Sequence, residues 1–138
     1  MPSGIDLHIQ RIVDLLQRKY GSDILVMDLR QLTDTTDYFV ICSGNSDQHL
    51  KALADELVES SKAAGDPPWH VEGLETRRWI LVDFVHIVVH LFRREAREFY
   101  ALERLWGDAA ITRYADYPDA ADRDAAPEGS ADLVFSRS

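Results

Sequence analysis

Two neighbouring apolar runs, each interrupted by one ionisable side chain, constrain the fold of this chain more than any other feature. Residues 79–84 contain Asp83, and residues 87–92 contain His90. Short runs rich in β-branched and aromatic residues predict two strands, here joined by a tight connection around Val85. Side chains alternate between the two faces of a strand, so one predicted face is aliphatic. The other combines aromatic, acidic and imidazole groups: Trp79, Leu81, Asp83, His86, Val88, His90 and Phe92.

The composition of this second face predicts a binding surface. It is too apolar for an ordinary solvated surface and too polar for a second core. We therefore expect it to be uncovered in the free protein and completed by another molecule. The aliphatic face, with Ile80, Val82, Ile87, Val89 and Leu91, is expected to form the core.

Charge and composition narrow the class of partner. The chain has 138 residues, 24 acidic and 15 basic, with a formal net charge of -9. This balance argues against phosphate-driven nucleic-acid binding and favours a basic partner surface. Solubility is the alternative explanation of the charge. The lone Cys42 lies in an apolar run, which predicts a reducing compartment, and no signal peptide or membrane span is evident. We expect a cytoplasmic protein.

Periodicity predicts a mixed α/β domain (α+β, with a mixed sheet) in residues 1–107. The expected order is α-β-β-α-β-β-β-α, giving a five-stranded mixed sheet with about three helices. Ser3 and Ser46 are expected to cap the first two helices, while Gly21 and Gly65 follow their ends. A third helix is expected from Glu95 to Trp106. Residues 108–138, rich in Ala, Asp and Pro, are predicted to form a loose acidic tail.

Catalytic and metal-binding patterns are weak in this sequence. The loop from Ser43 to Ser46 joins a strand to a helix and would place backbone donors near an anion, but a turn with a helix cap is the simpler interpretation. No pair of carboxylates two residues apart occurs on the predicted strands to hold magnesium for a nucleotidyltransferase. Asp83 and His90 are predicted to form a structural pair across the hairpin. We expect no catalytic residue, no metal and no cofactor.

The only basic concentration is formed by six arginines: Arg77, Arg78, Arg93, Arg94, Arg97 and Arg104. Glutamates interleave with them, so salt bridges along a helix explain them better than an RNA-binding patch. Direct sequence-specific binding of nucleic acid is not expected.

Five segments and the single residue His49, in this order and spacing, closely resemble the ribosomal silencing factor family, also called the Iojap family. The resemblance covers about residues 5–108 and is carried by residues 37–46 with His49, by 72–73, 79–84, 88–92 and 97–106. It departs from the family at residues 85–87, where members usually have a Gly-Asp or similar turn. The acidic tail also exceeds the usual family length.

The resemblance implies a non-enzymatic translational repressor. Members bind the large ribosomal subunit through its fourteenth protein and block joining of the small subunit when nutrients are short, and organellar relatives assist large-subunit assembly. The implied fold resembles a nucleotidyltransferase core without catalytic acids, often dimeric when free. Family positions carried onto this chain give six candidate partner-binding residues: Trp79, Asp83, His90, Tyr100, Glu103 and Trp106. A nucleotide-binding enzyme using the Ser43–Ser46 loop and a homodimerising adaptor remain alternatives.

Overall fold

A single mixed sheet of six strands carries two helices packed on one of its faces. The computed structural model describes residues 4–95 and 107–116. In chain order the elements are α1 (Gly4–Arg18), β1 (Ser22–Asp28), β2 (Tyr38–Gly44), α2 (Asp47–Ala63), β3 (His70–Glu72), β4 (Trp79–Asp83), β5 (Ile87–Arg93) and β6 (Ala110–Tyr114). The first seven elements follow the order expected from the sequence.

Both helices end where local chemistry requires. The Ser46 side chain accepts a hydrogen bond from the His49 backbone N–H at 3.0 Å, which confirms the predicted cap of α2. Gly65, with φ +86°, closes the other end of α2. After α1 it is Tyr20 that adopts the left-handed conformation, with φ 66°. Gly21 is needed for another reason, because a Cβ there would collide with the Cys42 sulfur.

The strands lie in the order β3-β4-β5-β2-β1-β6. β2 and β5 are parallel, because the chain crosses over through α2 between them, and the remaining neighbours are antiparallel. This arrangement confirms the expected mixed sheet. In the β4–β5 hairpin, Trp79 lies opposite Phe92, Leu81 opposite His90, and Asp83 opposite Val88.

The aliphatic face of the sheet forms the main core beneath the two helices. Ile80, Val82, Ile87, Val89 and Leu91 are all fully buried there, as the alternation predicted. They pack with the apolar stripes of α1 and α2. The helices therefore lie on the aliphatic face, opposite the face that carries Trp79 and His90.

The expectation of five strands is wrong in its count. β6 comes from the segment assigned to the acidic tail and pairs with β1 along its whole length. Four of its five residues are exposed. Its sequence therefore does not need the alternation of apolar and polar residues that identifies a half-buried strand, and does not show it clearly. The predicted third helix falls almost wholly on residues 96–106, outside the described residues. The likeness to a nucleotidyltransferase core stays a prediction.

Candidate functional site

The expectation that the whole second face is uncovered is wrong: Val88, His90 and Phe92 are buried, and the face opens only toward one edge of the sheet. Its centre is a small core of five buried residues from the strands and the adjoining loop: Leu25, Met27, Leu29, Ile41 and Phe92. Toward β3 and β4 the side chains become half-buried or exposed. We call this open part the β3–β4 surface; it consists of His70, Glu72, Trp79, Leu81 and Asp83.

The β3–β4 surface combines apolar area with carboxylates. Trp79, Leu81 and Asp83 are half-buried, whereas the Glu72 side chain is 63 % exposed. The His70 Nε2 lies 2.7 Å from a Glu72 carboxylate oxygen. An indole and a leucine bordered by two acidic side chains suit a partner surface that carries basic groups around an apolar centre.

The Trp79 indole is held by contacts on the sheet. It stacks on the Phe92 ring with centroids 5.1 Å apart and an interplanar angle of 29°. Its Nε1–H donates to the His90 Nδ1 at 3.0 Å. Gly73 supports the same residue from the backbone side: its φ is +88°, and a Cβ there would collide with the Trp79 carbonyl oxygen. Trp79 thus joins the second core as well as the open surface.

His90 lies beneath this surface, with only 3 % of the residue exposed. Burial lowers the pKa of His90 to about 3, so the ring is neutral near pH 7. Because an indole nitrogen only donates, Nδ1 is the acceptor and the proton of the neutral ring is on Nε2. Nε2 is buried and has no hydrogen-bond partner among the described residues. An unsatisfied buried donor costs about 1–3 kcal/mol.

The predicted Asp83–His90 pair is wrong. The hairpin register places His90 opposite Leu81, with Trp79 and Asp83 as its two diagonal neighbours, and the imidazole Nδ1 accepts its hydrogen bond from Trp79. The Asp83 Oδ1 instead accepts a hydrogen bond from the Val85 backbone N–H at 2.7 Å. Asp83 therefore stabilises the turn that follows its own strand.

That turn also moves His86 off the face on which the sequence placed it. Val85 has φ 76°, and the Phe84 N–H donates to the Ile87 carbonyl at 2.8 Å, which closes a two-residue hairpin. A β-branched residue at positive φ is strained. The His86 side chain is 72 % exposed and its Nδ1 lies 3.3 Å from an Asp37 carboxylate oxygen.

The loop from Ser43 to Ser46 is occupied by contacts within the chain. The Asn45 backbone N–H donates to the His49 Nδ1 at 3.0 Å, and the Asn45 side-chain oxygen accepts from Arg94 at 3.1 Å. Ser46 caps α2, as described. These contacts match the interpretation of a turn with a helix cap. Within residues 4–95 and 107–116, no group of three or more His, Cys, Asp or Glu residues is arranged to hold a metal ion.

The remaining candidates from the sequence fall elsewhere. Tyr100, Glu103 and Trp106 lie outside the described residues, so their role in partner binding stays a prediction. Trp69 is not among the candidate residues named from the sequence. It is 74 % exposed beside His70 at the sheet edge, and no sequence pattern distinguishes it from a packed tryptophan.

A protein-family model described as "Ribosomal silencing factor during starvation" matches residues 3–134. The chain belongs to the ribosomal silencing factor family. The Ribosomal silencing factor RsfS of Bacillus subtilis is 41 % identical over 93 residues, which cover 67 % of this chain and 79 % of the relative. The resemblance found in the sequence segments is thereby confirmed.

Two further similarities extend the comparison. The mouse protein named Mitochondrial assembly of ribosomal large subunit protein 1 is 40 % identical over 106 residues, which cover 75 % of this chain and 46 % of that protein. A crystal structure of a Chromobacterium violaceum protein superposes with a TM-score of 0.73 at 31 % identity, covering 76 % of this chain and 88 % of the other. None of the described helices is long and apolar enough to cross a membrane.

Proposed function

We propose that this protein binds the large ribosomal subunit through its fourteenth protein and prevents the small subunit from joining. The observation that carries the proposal is the β3–β4 surface, where a half-buried indole and leucine are bordered by carboxylates at the edge of the sheet. Family membership supports the ribosome as the target, and it supports a regulatory protein that catalyses no reaction. Its place of action is then the cytoplasm.

The proposed mechanism is steric. A preformed sheet face docks on a basic ribosomal protein, and the bulk of the domain occupies the space that the small subunit needs. The indole would supply most of the affinity as a central anchor, because tryptophan is enriched among the residues that dominate interface energies. The carboxylates would speed association and make it depend on salt. Under nutrient limitation this occupancy represses translation.

Assembly of the large subunit is a second candidate function. It is favoured by the mouse relative, whose printed name assigns it to assembly of the mitochondrial large subunit. Both functions use the same docking event, and they differ in whether the bound particle is mature. The free protein forms a homodimer in this proposal, and the ribosomal partner displaces the second copy.

A sedimentation assay with separated ribosomal subunits tests the proposal. Purified protein should pellet with large subunits and not with small ones, more strongly at low salt than at physiological salt. Trp79→Ala should weaken the affinity by about 30-fold, equivalent to about 2 kcal/mol. Because Trp79 also packs in the second core, the free energy of unfolding of the Trp79→Ala variant must be measured as well.

A charge reversal at an exposed residue tests binding without changing the core in which Trp79 packs. Glu72→Lys changes an exposed side chain at the rim and should weaken binding by about fivefold, or about 1 kcal/mol. Glu59→Lys changes an exposed glutamate on α2, on the opposite side of the sheet, and is the matched control. Equal binding of the Glu72 and Glu59 variants would contradict the assignment of the β3–β4 surface. Saturable binding of magnesium nucleotides in calorimetry would instead support an enzyme.

A further inference from the structure

The inference concerns the buried imidazole at the centre of β5. His90 is surrounded by three aromatic rings: Phe39 with ring centroids 4.4 Å apart, Trp79 at 5.8 Å and Phe92 at 6.3 Å. Burial excludes the ring from direct contact with a docked partner. A role in binding must therefore act through a neighbour.

Chemistry identifies Trp79 as that neighbour. Trp79 lies diagonally across the hairpin from His90, since its direct cross-strand partner is Phe92. Diagonal neighbours are within reach of large aromatic side chains. The indole Nε1–H and the imidazole Nδ1 are 3.0 Å apart, a normal hydrogen-bond length. This bond fixes the direction of the indole edge, while stacking on Phe92 fixes its plane.

The imidazole is an expensive choice for this position. Its Nε2 is buried without a partner among the described residues, as shown above. An aliphatic residue of similar size would bury no such donor and would suit the surrounding apolar cluster better. A side chain that reduces stability at a buried position is often explained by what it does for a functional site. For His90, that function is to provide the hydrogen-bond acceptor for the Trp79 indole N–H.

We propose that His90 is a positioning residue: its neutral ring holds the Trp79 indole in the one orientation in which the β3–β4 surface fits its partner. This rests on the proposed function for the identity of the partner. The orientation of the indole itself can be measured without the ribosome. Fixing a side chain before docking raises affinity because less conformational freedom is lost on binding.

Three substitutions separate the acceptor from the rest of the ring. His90→Asn places an oxygen where Nδ1 lies and keeps the acceptor. His90→Gln is similarly polar but places its amide near the position of Nε2. His90→Leu removes both polar atoms. His86→Leu, at an exposed imidazole in the same hairpin, is the control for general effects of losing a histidine.

The first measurement is the indole N–H signal of Trp79 in nitrogen-15 NMR, assigned with a Trp79→Phe variant. His90→Asn should keep the chemical shift and the slow hydrogen exchange of the wild type. His90→Gln and His90→Leu should shift the signal and speed its exchange at least fivefold. An unchanged signal in all three variants would overturn the proposal, whether or not the protein binds ribosomes.

The second measurement is affinity for isolated large subunits, together with urea unfolding. His90→Asn should bind within about twofold of the wild type. His90→Leu should bind at least fivefold more weakly although it unfolds at an equal or higher urea concentration. A general structural role predicts that binding and stability fall together, and that result would overturn the proposal. If His90→Leu does not fold, the Asn and Gln pair decides the question.

The two proposals fail in different ways. Absence of wild-type binding to large subunits would refute the proposed function and leave the NMR result to judge the role of His90. Normal binding by His90→Gln, with a displaced indole signal, would refute the role of His90 and leave the proposed function intact.

Discussion

The buried state of His90 predicts a specific loss of stability in mild acid. The pKa of His90 falls from its ordinary value of 6.5 to about 3 in the folded protein, because burial disfavours the charged ring. Well above pH 6.5 neither the folded nor the unfolded chain binds a proton at this residue, and His90 does not lower the free energy of unfolding. Below pH 6.5 the unfolded chain binds a proton that the folded protein does not, so the free energy of unfolding falls until about pH 3. Each pH unit in this window corresponds to about 1.4 kcal/mol, so His90 lowers the stability by about 2 kcal/mol at pH 5.

Urea unfolding at several pH values between 7.5 and 5.0 measures this loss. The wild type should lose about 2 kcal/mol more than His90→Asn over that range, because the variant has no titrating ring at this position. Burial also lowers the pKa of His8, which acts in the same direction in both proteins and cancels in the difference. Asp28, whose pKa is lowered mainly by its hydrogen bond to Arg30, titrates below the window. His86→Asn corrects for the general loss of a histidine. Parallel pH profiles of the wild type and His90→Asn would refute the buried neutral imidazole.

Three further predictions follow from local geometry, one each at Val85, Gly73 and Ser46. Val85→Gly should raise the free energy of unfolding by about 1 kcal/mol, since it relieves a β-branched residue at φ 76° in an exposed turn; a lower urea midpoint would contradict this. Gly73→Ala should lower the free energy of unfolding by about 2 kcal/mol and change the tryptophan fluorescence, because the added Cβ would displace the Trp79 carbonyl. Unchanged fluorescence would show that the backbone adapts elsewhere. Ser46→Ala should lower it by about 1 kcal/mol by removing the α2 cap, whereas Ser46→Asp should retain most of it; equal thermal midpoints for the two would contradict the cap.

Local chemistry made much of the fold predictable. Ser46 and Gly65 are recognised because a helix cap and a left-handed residue each depend on a few neighbouring positions. The alternation in the β4–β5 hairpin predicted which residues face the helices, and the structure confirms those assignments. Such signals are contained within about ten consecutive residues. They can therefore be identified from the sequence without knowledge of the distant contacts in the fold.

Contacts between distant segments account for the errors. β6 has little apolar alternation of its own, and it is held by the edge of β1 and by the hydrogen bond from the Gln17 side chain to the Ala115 carbonyl. The Asp23 N–H donates to the Asp116 carboxylate at the same end. No pattern within residues 108–116 reveals these partners. A strand whose stability comes from a remote neighbour is read as a tail when the sequence is considered alone.

For the site, the sequence shows which polar residues lie inside apolar strands, but it does not show what each of them contacts. Such a residue needs a partner for its polar atoms, which is why the sequence draws attention to Asp83 and His90. The sequence does not say whether the partner is another molecule or the same chain. The Asp83 carboxylate accepts a hydrogen bond from the Val85 N–H in its own turn. The His90 ring accepts one from the indole N–H of Trp79, its diagonal neighbour across the hairpin. Trp79 and Asp83 are both diagonal neighbours of His90 in the hairpin register, so the side chains and not the register decide which of them bonds to the imidazole. The atom that stays without a partner among the described residues, Nε2 of His90, is the one whose presence stability alone does not explain.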